Sequence, residues 1–240
     1  MAMIGIGMVT SCSPRGHDLQ HLPRITLWAW ERPEDLRALE TNRFAVAYLA
    51  QTIVLRDHPL LVPRMQPLQV PPGTAVIAVV RIEGAPLRLS REAAEQVAGM
   101  ILKSAKQPGI SAVQIDFDAR TSQRPFYRAV LSQVRAQLPT SMPLSITALA
   151  SWCAGDDWIA DLPVDEAVPM FFRMGGARPR TPGWTYPLLE PKCMSSAGVS
   201  MDEAWPHISA AARIYVFHPD SWNAVALHNL DQLLKVPGQP

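Results

Sequence analysis

Val113-Gln114-Ile115-Asp116-Phe117-Asp118 is an apolar run that closes on two carboxylates two residues apart. In a β-strand, side chains at i and i+2 share a face, so both acids are expected to project together from the C-terminal end of a strand. Barrel enzymes carry their catalytic groups at that end. Converging carboxylates push each other's pKa values apart, which leaves one protonated as a donor and the other ionised. The chemistry this implies is general acid/base catalysis, with Asp118 as proton donor, its pKa raised by Asp116 and by burial among aromatics, and Asp116 orienting it. In the competing reading the acids cap the next helix or pair with Arg81 or Arg120.

Other strand ends supply companions: Trp30 and Glu31, Gln51, Arg81 and Glu83, Trp152, Arg173, His218 and Trp222. Indole faces stack on the C–H faces of pyranose rings while acids and guanidinium groups bind hydroxyls, so Trp30, Arg81, Trp152, Arg173, His218 and Trp222 are candidate sugar contacts. Taken singly, each tryptophan reads equally as a core or rim aromatic. Glu31 is the candidate second carboxylate, as base or nucleophile. A separation of about 5–5.5 Å from Asp118 would imply a covalent intermediate, and roughly 6.5–9.5 Å would leave room for water. A third chemistry, Ser145, Ser151 or Cys153 as nucleophile with His218, lacks a Gly-x-Ser-x-Gly elbow.

These groups need a scaffold that gathers strand ends. Apolar runs at 25–30, 44–49, 75–82, 112–117, 144–149, 167–172, 193–199 and 214–217 read as strands. Helices are expected at 33–39, from Ser90 to the Pro108-Gly109 stop, at 125–138, 156–162 and 223–234. Ser90 stands at an N-cap position, with Ala94, Val97, Ile101 and Leu102 as the inward stripe. Asp57-His58-Pro59, between two apolar stretches, marks a hairpin. Strands alternating with helices over some 200 residues predict an α/β (β/α)8 TIM-type barrel, with irregularities and a β-hairpin insertion after strand 2. The alternative is a doubly wound open sheet, but no Gly-x-Gly-x-x-Gly follows a strand, so no dinucleotide cofactor is expected. Residues 175–191, rich in Gly, Pro and Arg, predict a long loop over one barrel mouth.

At 240 residues, 48% hydrophobic and 18% charged, the chain can bury a large core, and a single barrel domain over 23–240 is expected. A net charge of +1 provides no basic stripe for nucleic acid. Residues 1–22 read as an apolar leader and tether, in which Val9-Thr10-Ser11-Cys12 resembles a lipoprotein lipobox with Cys12 as the lipidated residue. That places the protein in the cell envelope or periplasm, or in the cytoplasm if the segment is complete and unprocessed. With Cys12 lipidated, Cys153 and Cys193 remain for a disulfide. No C-x-x-C or Cys/His cluster points to a metal.

Leu27-Trp28-Ala29-Trp30-Glu31-Arg32-Pro33-Glu34-Asp35-Leu36, Gln114 to Ala119, Leu144 to Cys153 and Val164 to Met170 resemble the bacterial family called domain of unknown function 3142. That resemblance carries no activity. A more distant one is to chitinase-type glycoside hydrolases, whose fourth strand ends in Asp-x-Asp-x-Glu and whose sixth carries Met-x-Tyr-Asp. By that resemblance Asp116 matches the last aspartate, Asp118 the catalytic glutamate, and Met170-Phe171-Phe172-Arg173 the sixth-strand motif. Phe172 lacks the tyrosine hydroxyl and Arg173 replaces an acid, so the group that steadies an acetamido substituent is missing. The expectation is a glycoside hydrolase-like barrel acting on a cell-envelope or extracellular polysaccharide. The alternative is a carbohydrate-binding barrel without catalysis.

Overall fold

The computed structural model describes residues 19–84, 89–175, 181–210 and 212–235, so Cys12 lies outside the described residues. Eight strands close into a parallel ring: β1 (Ile25–Ala29), β3 (Phe44–Val54), β6 (Val76–Glu83), β7 (Ile110–Asp116), β8 (Leu144–Leu149), β9 (Glu166–Met170), β10 (Ser196–Ser200) and β11 (Arg213–Phe217), which returns to β1. The ring is the TIM-type barrel expected from the unbroken apolar runs, since strands covered on both faces tolerate few polar residues. β3 runs past the barrel rim and folds back on β4 (Leu60–Pro63), antiparallel, with Val54 opposite Leu60. This is the hairpin insertion after the second barrel strand.

Helices are unevenly distributed. α1 (Arg91–Ala105) links β6 to β7, α2 (Arg124–Gln137) links β7 to β8, and α4 (Ala224–Leu234) follows β11. Ser90 caps α1 by accepting from the Ala93 amide at 3.1 Å, satisfying one of the donors a helix start leaves open. Ala94, Val97, Ile101 and Leu102 are buried, and Phe126, Val130, Leu131 and Val134 of α2 pack with them in one cluster against the barrel. The helix expected over 33–39 does not form. Glu34–Asp35 is instead a two-residue strand, β2, paired with β5 (Leu68–Gln69). The Glu34 amide donates to Pro67 and the Leu36 amide to Gln69, so pairing with the chain returning from the hairpin takes the groups a helix would use. A seven-residue stretch cannot meet the cost of helix nucleation against that competition. Over 156–162 there is only a 3₁₀ turn at Asp157–Ile159, and α3 (Ala150–Cys153) is a single turn.

Inside the barrel, Trp28, Ala47, Leu49, Ile77, Val79, Ala112, Val168, Tyr215 and Phe217 form the packed interior, and Leu19 and Leu22 close its floor. The last residues of the expected tether therefore belong to the barrel. Arg213 holds them by donating to the carbonyls of Leu19 and Pro23. A buried polar network crosses the lower barrel: Glu166 accepts from Ser145 at 2.9 Å and Tyr215 at 2.7 Å, beside Arg213 at 3.5 Å. Burial pushes the Glu166 carboxyl up, against the pull of Arg213 and the hydroxyls. Gly198, on β10, leaves the room that Met170 fills; a Cβ there would lie 2.6 Å from the Met170 sulfur. Among the described residues no helix is long and apolar enough to cross a membrane.

Candidate active site

β6 and β7 are neighbours with Arg81 paired to Asp116, so alternation brings both side chains inward at the C-terminal rim. Asp116 Oδ1 accepts the Thr147 hydroxyl at 2.7 Å, and Oδ2 lies 3.6 Å from Arg81 Nη1. Arg81 Nε is 3.4 Å from Glu83 Oε2, and its guanidinium lies 5.6 Å from the Trp30 ring centroid. Burial raises the Asp116 carboxyl above its ordinary range; Thr147 and Arg81 pull it back, and the Asp118 charge adds to the rise. Asp118, two residues on, is exposed rather than buried among aromatics. The acid that burial perturbs is therefore Asp116, and Asp118 is the one solvent reaches. Both open into one cleft of about 260 Å³, with Arg81, Glu83, Arg120 and Gln123 among its walls.

The cleft walls are tied together by residues that alternation alone did not single out. Gly84 ends β6 at φ +99°, where a Cβ would meet the Leu55 carbonyl oxygen at 2.8 Å. Gln123, nearly fully buried, donates to the Gly84 carbonyl at 3.1 Å and accepts from the Arg120 amide at 2.9 Å. It thereby joins the end of β6 to the loop after β7. The signal for Gln123 was its place just before α2, three residues beyond Arg120, where a glutamine reaches back to an amide.

Trp30 is half-buried beside this cleft. Its ring lies 5.5 Å from Trp28 and 6.0 Å from Phe217, and Phe172 lies 4.6 Å from Phe217. These aromatics occupy the centre of the barrel mouth.

The other expected site residues go elsewhere. Glu31 accepts from the Met65 and Gln66 amides at 2.7 and 3.0 Å, beside Arg64 at 3.9 Å, so it fastens the hairpin and is not among the cleft residues. Trp152 is buried between barrel and helices, edge-on to Trp158 at 4.9 Å, because α3 turns the chain outward directly after β8. Arg173 is exposed at φ +53°, its amide donating to both Glu203 oxygens at 3.2 Å. His218 accepts from the Asp220 amide through Nδ1 at 3.1 Å and lies 5.0 Å from Trp222. Trp222 is fully buried, its indole N–H donating to the Trp28 carbonyl at 2.8 Å.

The Trp222 amide also donates to Glu34, whose side chain is fully buried with Arg32 Nε 3.8 Å away. Burial raises the Glu34 carboxyl from 4.5 to about 7, opposed by the Trp222 amide, Arg32 and Arg64. A carboxyl raised on folding binds protons more readily in the native state, so the stability it contributes falls as pH rises from about 4.5 through about 7. At about 1.4 kcal/mol per pKa unit the difference is of order 3 kcal/mol. Glu34→Gln is expected to gain about that much relative to wild type between pH 4.5 and pH 8. Urea midpoints measured across this range check it, and parallel curves would rule it out.

A search of curated proteins found no match. Among solved structures, the Bacillus cereus spore cortex-lytic enzyme SleL is similar at 16% identity and TM-score 0.45, over 75% of this chain and 51% of that one. The chitinase domain of the Clostridium difficile spore coat protein CotE is similar at 17% identity and TM-score 0.41, over 99% of this chain and 66% of that one. The chain thus spans about half the length of the first and two-thirds of the second. Residues 72–169, the stretch that carries Arg81, Glu83, Asp116 and Asp118, match the model of the family described as domain of unknown function (DUF3142).

Proposed function

We propose that this barrel is a glycoside hydrolase acting on a cell-envelope or extracellular polysaccharide. The observation that carries the reading is that Asp116 and Asp118 open into one cleft at the C-terminal rim, beside Arg81 and under the edge of an aromatic platform. Asp118 reaches solvent and serves as the proton donor to the glycosidic oxygen; Asp116, fixed by Thr147 and Arg81, orients it. Trp30 supplies the flat apolar face for a sugar ring, and Arg81 holds hydroxyls. The buried Cys153–Cys193 bridge supports an oxidising compartment, in keeping with an exported protein anchored through Cys12.

A second reading, a carbohydrate-binding barrel without catalysis, is favoured by the Trp28, Trp30, Phe172 and Phe217 packing in the centre of the mouth, where an axial substrate pocket would lie. Release of reducing ends from a panel of bacterial envelope and extracellular polysaccharides tests the choice. The expected result is turnover of one glycan class by wild type, with Trp30→Leu raising KM about 10-fold, since loss of a stacking face removes roughly 1–1.5 kcal/mol. Glycan binding without any reducing ends would select the second reading.

A further inference from the structure

We infer that Glu83 is the second carboxylate of this cleft, the nucleophile of a retaining, two-step hydrolysis. The inference builds on the hydrolase reading above and assigns the role expected of Glu31. Arg81 and Asp116 are register partners on parallel neighbours, so two residues further along each chain come Glu83 and Asp118, on the same rim. Both line the cleft. Neighbouring strands lie about 4.8 Å apart, so the two acids approach one cleft from adjacent chains, and the role assigned to Glu83 requires the carboxyl separation of a retaining pair, about 5–5.5 Å.

The surroundings suit a nucleophile. The Glu83 carbonyl is fixed by the Leu55 amide at 2.7 Å, and Gly84 turns the chain immediately after it, so the backbone beneath the side chain is anchored. The carboxylate itself is held loosely. Its one ion-pair partner among the described residues, Arg81 Nε, lies at 3.4 Å, and the side chain is half exposed. Arg81 also reaches Asp116, so one guanidinium spans the nucleophile and the acid that orients the proton donor.

In the first step a Glu83 oxygen bonds to the anomeric carbon as the glycosidic C–O bond breaks, and the leaving oxygen takes the Asp118 proton. In the second, water adds to the anomeric carbon, gives a proton to the Asp118 carboxylate, and the bond to Glu83 breaks to regenerate its carboxylate. The missing acetamido-steadying pair at Phe172 and Arg173 is then no obstacle, because the enzyme supplies its own nucleophile.

The test uses the full chain and the glycan that wild type cleaves. Proton NMR of the first product should show the anomeric configuration of the substrate. A 2-deoxy-2-fluoro glycoside of the same sugar, with an activated leaving group, should add to the peptide holding Glu83. Glu83→Gln and Glu83→Ala should both lose roughly 10³-fold in kcat with an unchanged thermal midpoint. Azide should restore Glu83→Ala with a glycosyl azide of inverted configuration, and Asp118→Ala with one of retained configuration. Inversion of the first product, labelling of another residue, or kcat within 10-fold of wild type for both Glu83 variants would overturn the inference while leaving the hydrolase reading intact. No turnover of any glycan by wild type would remove both.

Discussion

Asp118→Asn is expected to lower turnover on the responsive glycan about 10³-fold while leaving the thermal midpoint within a degree or two of wild type. The two halves of that expectation have separate physical causes. Asp118 is exposed and accepts no hydrogen bond from a described residue, so losing its charge removes little from the folded state. Asparagine has nearly the same shape but carries no transferable proton, so a step that depends on donation to the glycosidic oxygen loses its donor. Asp116 is the contrasting control. Its carboxylate receives the Thr147 hydroxyl and faces Arg81, so Asp116→Asn unbalances a partly buried ion pair and is expected to lower stability as well as rate. Initial rates and calorimetric midpoints of the two variants separate the roles. Equal loss of folding in both would make Asp118 a structural residue, and unchanged turnover in Asp118→Asn would end its assignment as acid.

Removing the Cys153–Cys193 disulfide is expected to cost about 4 kcal/mol, the loop-closure value for the 40 residues it spans. That is a large share of the 5–15 kcal/mol typical of a domain. The bridge joins α3, just beyond β8, to the approach to β10, across a stretch whose described residues form no long helix. Both cysteines are fully buried, and the Leu189 and Glu190 amides donate to the Cys153 carbonyl, so the returning loop is docked along the same line. The double variant Cys153→Ala/Cys193→Ala, or reduction before denaturation, should lower the urea midpoint accordingly. Two titratable thiols at these positions in unreduced, unfolded protein would show that the bridge is not formed.

The legible part of the fold is that governed by local pattern. β8 occupies 144–149, the bounds its apolar run implies, and α1 starts at the Ser90 cap, because burial on both faces and capping chemistry both leave marks within a few residues. Residues 33–39 misled because their partners, Pro67, Gln69 and Trp222, are distant in sequence; nothing local announces that those backbone groups are taken. The tryptophans misled for a related reason. Trp30 is half-buried at the barrel mouth under the Arg81 guanidinium while Trp152 and Trp222 are core, and the difference lies in which way the chain turns after each strand.

For the candidate site the division is similarly physical. The chain's own order of residues was enough to put Asp116 and Asp118 on one face at the end of a barrel strand, because side-chain alternation is a property of each strand alone. Which third carboxylate joins them was decided by folding. The pairing of β6 with β7 brings Glu83 to the cleft that Asp118 lines, and the hairpin draws Glu31 away to the amides of Met65 and Gln66, through hydrogen bonds between segments that no local periodicity connects.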